Sequence, residues 1–288
     1  MKPMLLRRKI TGILRLFRPE LPLAAGMCVV LGQLLALGAF PPLRVVGLGF
    51  ACGFFLSASA LILNDYFDLE VDRINAPQRP LPSGLLSERE VIVLGVVVAL
   101  LGLGAALALN PVALGVSVVV WVLGFLYNWK LKAAGLWGNL IVAASVAMTF
   151  ILGGIGVGQM WNLLVWTFGL IAFVFDLAEE IAGDAMDAEG DRKRASKSIA
   201  ILCGKRMAVR LSALLFGLMI VLTFVPVVWG GLGWLYLAPI LLTDVVLVFF
   251  VIRLLKSQTP AVGRRAMRGL YISASLGLLA FLIGSFFA

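Results

Sequence analysis

Residues Val91–Trp129 read VIVLGVVVALLGLGAALALNPVALGVSVVVWVLGFLYNW, 39 residues without a charged side chain. About 20 mostly apolar residues cross the hydrocarbon core of a bilayer. This stretch holds two such spans, split only by the turn chemistry of Asn110-Pro111. The reading is a tight helical hairpin inside a membrane.

Working outward, the same pattern recurs along all 288 residues. Nine segments qualify as spans, at roughly 21–40, 43–66, 90–109, 111–129, 138–158, 163–183, 207–229, 232–253 and 267–287. The chain is 61% hydrophobic and only 14% charged, against about 25% charged in soluble domains, and its mean hydropathy is +1.05. The expected fold is all-α and integral to the membrane, a single domain over residues 1–288. The N-terminal stretch carries Lys2, Arg7, Arg8, Lys9, Arg15 and Arg18 and has no small-residue cleavage site, so an uncleaved first span is expected rather than a signal peptide.

Charge placement orients the chain. With nine spans and a cytoplasmic N-terminus, 23 of the 24 Lys and Arg residues fall on the cytoplasmic side, and only Arg44 on the other. The C-terminus then lies opposite, in a multi-pass protein of the cell membrane. The net charge of +9 reads as topology and contact with anionic membrane lipids, not as nucleic-acid binding, and nothing points to an obligate protein partner. There is no histidine, which excludes Ser/His/Asp catalysis and His-ligated haem, zinc or copper. Cys28, Cys52 and Cys203 have no paired spacing and read as small apolar residues.

The acids are as uneven as the bases. Of 15, six lie between Asp65 and Glu90 and seven between Asp176 and Asp191. The clusters begin at the cytoplasmic ends of the second and sixth spans. Four spans separate them, which suggests two four-helix pseudo-repeats plus a ninth helix. In the first cluster Asn64, Asp68 and Asp72 are spaced i, i+4, i+8, with Asp65 joining at i, i+3, i+7. In the second, Glu180, Asp184, Asp187 and Asp191 are spaced i, i+4, i+7, i+11. If each helix continues past the membrane boundary, each set forms one stripe. Acidic loops at helix ends are ordinarily just solvated. Two of them at matching ends, both in phase, ask for cations instead.

The donor set is carboxylate and amide oxygen, which favours a hard cation. Magnesium takes one or two carboxylates and completes its shell with waters and substrate phosphates. A diphosphate fits that role, and Arg18, Arg79, Lys130, Lys132, Arg192 and Lys197, all expected on the same side of the membrane, are available to pair with its remaining charge. Tyr127 reads equally as an interfacial aromatic. Asp244, inside the eighth span, is costly there; a functional role and a hydrogen bond to a neighbouring helix are both open.

At this point the wording of both clusters becomes specific. NDYFDLEVDRINAPQRPLPSG (Asn64–Gly84) and EIAGDAMDAEGDRKRASKSIAIL (Glu180–Leu202) resemble the two signatures of the UbiA superfamily of intramembrane prenyltransferases. RLFRPE (Arg15–Glu20) and YNWKLK (Tyr127–Lys132) resemble weaker features of that family. The resemblance implies a helical bundle around a central cavity and a magnesium-dependent prenyl transfer from a prenyl diphosphate to a hydrophobic acceptor. It implies two magnesium ions, one on Asn64, Asp68 and Asp72, the other on Asp187 and Asp191 with Asp184 or Glu180. It also implies that Arg18, Arg79, Tyr127 and Lys130 contact the diphosphate, with Lys132 and Lys197 beside them.

Within the superfamily the motif wording is most similar to the ether-lipid enzymes that prenylate geranylgeranylglyceryl phosphate, with a geranylgeranyl donor. One departure matters. Those enzymes commonly carry Arg-Glu-Ile and a Lys before the second acidic run, where this chain has Glu179-Glu180-Ile181 and Gly183. An aromatic acceptor of the quinone-precursor or chlorophyllide type therefore stays open. A secondary transporter shares the repeat and the intramembrane acid, but its acids belong near the midplane rather than at helix ends.

Overall fold

A computed structural model describes residues 2–191, 196–229 and 231–286. Among them every regular element is helical. They are α1 (Lys2–Phe17), α2 (Glu20–Leu37), α3 (Leu43–Phe67), α4 (Leu69–Asn75), α5 (Glu88–Leu109), α6 (Pro111–Trp129), a 3-10 turn (Leu131–Ala134), α7 (Leu136–Gly156), α8 (Leu163–Asp191), α9 (Ile199–Leu202), α10 (Lys205–Leu222), α11 (Val225–Val228), α12 (Trp234–Leu255) and α13 (Pro260–Phe286). Seven stretches of the described residues are long and apolar enough to cross a membrane: α2, α3, α5, α6, α7, Lys205–Val228 and α12. The 29-residue α8 and the 27-residue α13 are longer still, and α8 carries Asp176, Glu179 and Glu180 along its length.

Turn chemistry sets the breaks. Pro111 opens α6 directly after Asn110, whose side-chain carbonyl accepts from the Ala113 N–H at 2.8 Å while its amide donates to the Ile155 carbonyl at 2.8 Å. Pro226 has no N–H to continue the ladder from α10, so the chain restarts as α11. Ser87 and Glu90 close a capping box at the head of α5. The basic N-terminus, expected only as a charged flank, forms the helix α1. Its Leu16 is wholly buried while Ile10 and Leu14 are exposed.

The helices form two compact units. The first comprises Met1–Trp129 and Thr149–Met160. Its centre is α3, packed between α2 and α5. A Cβ on Gly32 of α2 would collide with the Phe150 carbonyl of α7, and one on Gly153 with the Val29 carbonyl. That glycine pair lets two apolar helices approach backbone to backbone, the mode of contact that drives association in lipid. Where α3 meets the loop to α5, Leu16, Ile62, Leu69, Leu81, Leu86 and Val91 form a separate buried cluster.

The second unit comprises Lys130–Met148 and Trp161–Ala288. Ala178, Ile181, Ala182 and Ala185 put one buried stripe of α8 against Ala208, Val209, Phe216 and Met219 of α10. The Ser212 hydroxyl seals that contact by donating to the Ala178 carbonyl at 2.7 Å. Asp244 is buried on α12. Its carboxylate accepts from the Thr223 hydroxyl at 2.9 Å, and Tyr236 donates to the Thr223 carbonyl at 2.8 Å. Of the two readings of Asp244, the hydrogen bond between helices is the one observed. The cysteines are free thiols; Cys52 is buried, Cys28 half-buried and Cys203 exposed.

Candidate functional site

The first acidic motif sits where α3 ends. The stripe expected on one continuous helix is interrupted: α3 stops at Phe67, Asp68 leaves helical geometry at φ −87°, ψ 3°, and α4 resumes at Leu69. The break is shallow, because the Asp68 N–H still donates to the Asn64 carbonyl at 2.9 Å and the Asp72 N–H to the Asp68 carbonyl at 2.8 Å. Asn64, Asp68 and Asp72 thus remain linked one turn apart, along a bent path. Asn64 and Asp68 are half-buried and Asp72 is buried.

Two arginines hold the buried carboxylates. Arg18 donates to Asp65, whose side chain is only 3% exposed. Arg79 lies 2.5 Å from Asp72 and 3.7 Å from Asp65. Partial burial opposes the Arg79 charge, but the hydrogen bond to Asp72 and the nearby Asp65 and Asp68 carboxylates outweigh it and raise its pKa. Arg18 is the one non-glycine residue with positive φ among those described, at 39°. That backbone costs roughly 1 kcal/mol, and the chain tolerates it where α1 turns into α2 and the guanidinium meets Asp65.

The tail of the motif is folded, not loose. The Arg79 N–H donates to the Ala76 carbonyl, Ser83 to Arg79, Gly84 to Leu81 and Leu86 to Pro80, at 2.9–3.2 Å. Gly84 takes φ 71°, and Leu81 and Leu86 are buried. The RPLPSG segment is therefore a packed turn whose apolar residues anchor it and whose Arg79 points back at the acids. Arg73 pairs with Glu70 on the exposed outer face.

The second motif lies on an unbroken α8. Its apolar stripe faces α10, and at 3.6 residues per turn Asp176, Glu180, Asp184 and Asp187 fall on the opposite face. Asn139 of α7, itself buried, donates to Asp184 at 2.8 Å. Arg264 of α13 donates to Asp187. Lys132 sits half-buried in the 3-10 turn and acts electrostatically on Glu180. Beside it, the Lys197 N–H donates to the Ala133 carbonyl at 3.1 Å. A Cβ on Gly135, at φ 62°, would collide with the Lys197 carbonyl. The turn after α6 and the segment after the second motif are thus held together. Tyr127 is half-buried at the end of α6, and Lys130 is exposed. The side chains of Asp191 and Arg192 lie outside the described residues.

Neither Asn139 nor Arg264 has a role legible in the sequence, and the ligand set implied by the resemblance omits Asp65. Asp65 was visible as part of the first stripe. Asn139, a lone amide in an apolar span, was a weak signal. Arg264 had none, since it sits 77 residues from its partner.

Every donor in both motifs is oxygen, which suits magnesium. Among the described residues no three carboxylates or thiols converge as a ready metal cage.

The chain matches the model of the UbiA prenyltransferase family over residues 25–286. It is 36% identical to digeranylgeranylglyceryl phosphate synthase of Thermococcus kodakarensis over 275 residues, 95% of this chain and 98% of that protein. A solved digeranylgeranylglyceryl phosphate synthase superposes with a TM-score of 0.77 at 29% identity, covering 96% of this chain and 98% of its own. A UbiA homologue of Archaeoglobus fulgidus bound to DMAPP and Mg2+ shares the fold at a TM-score of 0.70 and 19% identity, with 95% and 98% covered. With the family match spanning nearly its whole length, the chain belongs to the UbiA prenyltransferase family and is a multi-pass membrane prenyltransferase.

Proposed function

We propose that this protein transfers a geranylgeranyl group from its diphosphate to geranylgeranylglyceryl phosphate, as a single catalytic domain over residues 1–288. The observation that carries the reading is the arginine-clasped first motif, with Arg18 and Arg79 held over the buried Asp65 and Asp72. The synthase name of the 36% identical relative supports the acceptor. The proposal includes nine spans in two four-helix halves plus a ninth helix, with the N-terminus and both motifs cytoplasmic.

Asn64, Asp68 and Asp72 would hold one magnesium ion, and Asp187 and Asp191, helped by Asp184 or Glu180, a second. Bound there, magnesium supplies Lewis-acid stabilisation of the negative charge that develops on the departing diphosphate. Arg18 and Arg79 would then donate to the diphosphate oxygens instead of the carboxylates, with Tyr127, Lys130, Lys132 and Lys197 as further contacts. Fixed positive charge in a poorly hydrated site is worth more than in water. The allylic C–O bond breaks with its electron pair leaving on the diphosphate. The acceptor oxygen forms the new C–O bond and gives up its proton to the released diphosphate or to water. Apolar helices keep water from intercepting the allylic cation, and no covalent nucleophile is needed.

The test is a panel assay with radiolabelled geranylgeranyl diphosphate, magnesium and detergent-purified protein. Label entering geranylgeranylglyceryl phosphate is expected. A second reading has its own observation: Glu179 and Gly183 stand where the ether-lipid enzymes commonly have cations, and among the described residues only Met267 lies near the space beside Gly183. Label entering a hydroxybenzoate, a naphthoate or chlorophyllide, but never the glyceryl phosphate, would replace the first acceptor with an aromatic one.

A further inference from the structure

Arg264 is the cation that contacts the second motif from farthest along the chain, and its position is built by packing. Pro260 opens α13 behind Thr259, whose carbonyl accepts from the Gly263 N–H at 3.1 Å and whose hydroxyl lies 3.4 Å from the Val262 N–H. Gly263 is buried, and a Cβ there would collide with the Met186 sulfur. Ala266 and Leu270 continue the same buried face. The first turns of α13 are thereby pressed onto α8 beside Met186, and the residue after Gly263 meets the residue after Met186. Arg264 donates to Asp187 as a result. Both side chains remain more than half exposed, at 56% and 59%, so the helix positions are fixed while the charged groups are free to move. An ion pair this exposed is weak and screened by salt.

We propose that Arg264 is a further diphosphate-binding residue, carried on Asp187 in the substrate-free enzyme and passed to the diphosphate when Asp187 takes up magnesium. This rests on the reading above, in which the second motif binds magnesium diphosphate. A carboxylate that ligates magnesium gives up a weakly held guanidinium. The guanidinium is then left within one side chain's swing of the incoming phosphate, and its planar fork of donors matches phosphate oxygens in pairs. Arg18 and Arg79 stand in the same relation to the carboxylates of the first motif, although their carboxylates are buried.

The experiment measures binding of magnesium pyrophosphate to the full-length, detergent-purified chain by calorimetry, alongside steady-state kinetics. Arg264→Ala should weaken pyrophosphate binding about tenfold and raise KM for the prenyl diphosphate with the acceptor KM unchanged. Arg264→Lys should recover part of the loss. Arg265→Ala, which removes another exposed charge on the same helix, should change binding by less than about twofold. Equal or tighter pyrophosphate binding by Arg264→Ala overturns the proposal, because a residue that only screens Asp187 would compete with magnesium. A loss of the same size in Arg265→Ala also overturns it, since the effect is then general charge. Arg264-dependent pyrophosphate binding in a protein that prenylates no acceptor would sink the proposed function and leave this inference standing. Arg264-independent binding with intact turnover would do the reverse.

Discussion

The two acidic motifs carry similar charge in opposite settings. In the first, Asp65 and Asp72 are 3% and 8% exposed and two arginines from separate segments clasp them. In the second, Asp187 is 59% exposed and its arginine is exposed as well. Removing one partner of a buried charge pair leaves the other uncompensated at high cost, while an exposed pair is worth about 0–1 kcal/mol. The first motif is therefore part of what folds its unit, while the Asp187 end of the second is a charged face that the fold presents but does not depend on.

The largest effects should erase the difference. Asp68→Ala and Asp187→Ala are each expected to cost about 10²–10³-fold or more in turnover, measured with labelled prenyl diphosphate; normal turnover in either would falsify the metal-site assignment. Stability should separate them again. Arg79→Ala is expected to destabilise by about 1–3 kcal/mol, below the 3–5 of a fully buried pair because Arg79 is a third exposed. Asp187→Ala should stay within about 1 kcal/mol. Thermal unfolding in detergent reads both, and a larger shift for Asp187→Ala would break the comparison.

Asn139→Ala tests whether the deep part of the second motif resembles the first. It removes a donor to the Asp184 carboxylate from a buried position, and a loss of about 1–2 kcal/mol in stability is expected. Hydrogen exchange sharpens the same point without mutation. Adding magnesium pyrophosphate should protect residues 184–188 more than 76–86, because Asp187 and its ion pair are exposed while Leu81 and Leu86 already bury the turn. Equal protection would mean that both motifs are preformed. The smallest effect belongs to Arg73→Ala. Its partner Glu70 is 80% exposed, so stability should move by less than about 0.5 kcal/mol and turnover hardly at all.

Much of this molecule was legible in the chain because membrane helices are specified locally. The expected spans at 43–66 and 111–129 appear as Leu43–Phe67 and Pro111–Trp129, since apolar length and a proline or asparagine-proline break suffice to set them. The acids of α8 keep the spacing read from the sequence because nothing interrupts the helix between Leu163 and Asp191. At Asp68 the same reasoning failed. The residue has neither the ring of proline nor the freedom of glycine, and the bend arises where Leu69 buries into the cluster of Leu16, Ile62 and Leu81. The helix α1 was missed because a basic flank looks alike whether helical or not, until Leu16 finds a place to bury.

By itself the sequence determined a polytopic helical protein, its two acidic motifs, the oxygen chemistry of their donors and the family that words them this way. Those follow from composition, period and order along the chain. Tertiary structure alone decided which charges meet: Arg18 with Asp65, Arg79 with Asp72, Asn139 with Asp184 and Arg264 with Asp187. Separations of 47, 45 and 77 residues carry no periodic signal, and the seven residues from Asp72 to Arg79 run past the end of α4 at Asn75, where the helical period no longer applies. Each pairing is set by how glycine, alanine and leucine faces pack, and burial then fixes whether a carboxylate is locked in place or left ready to change partners.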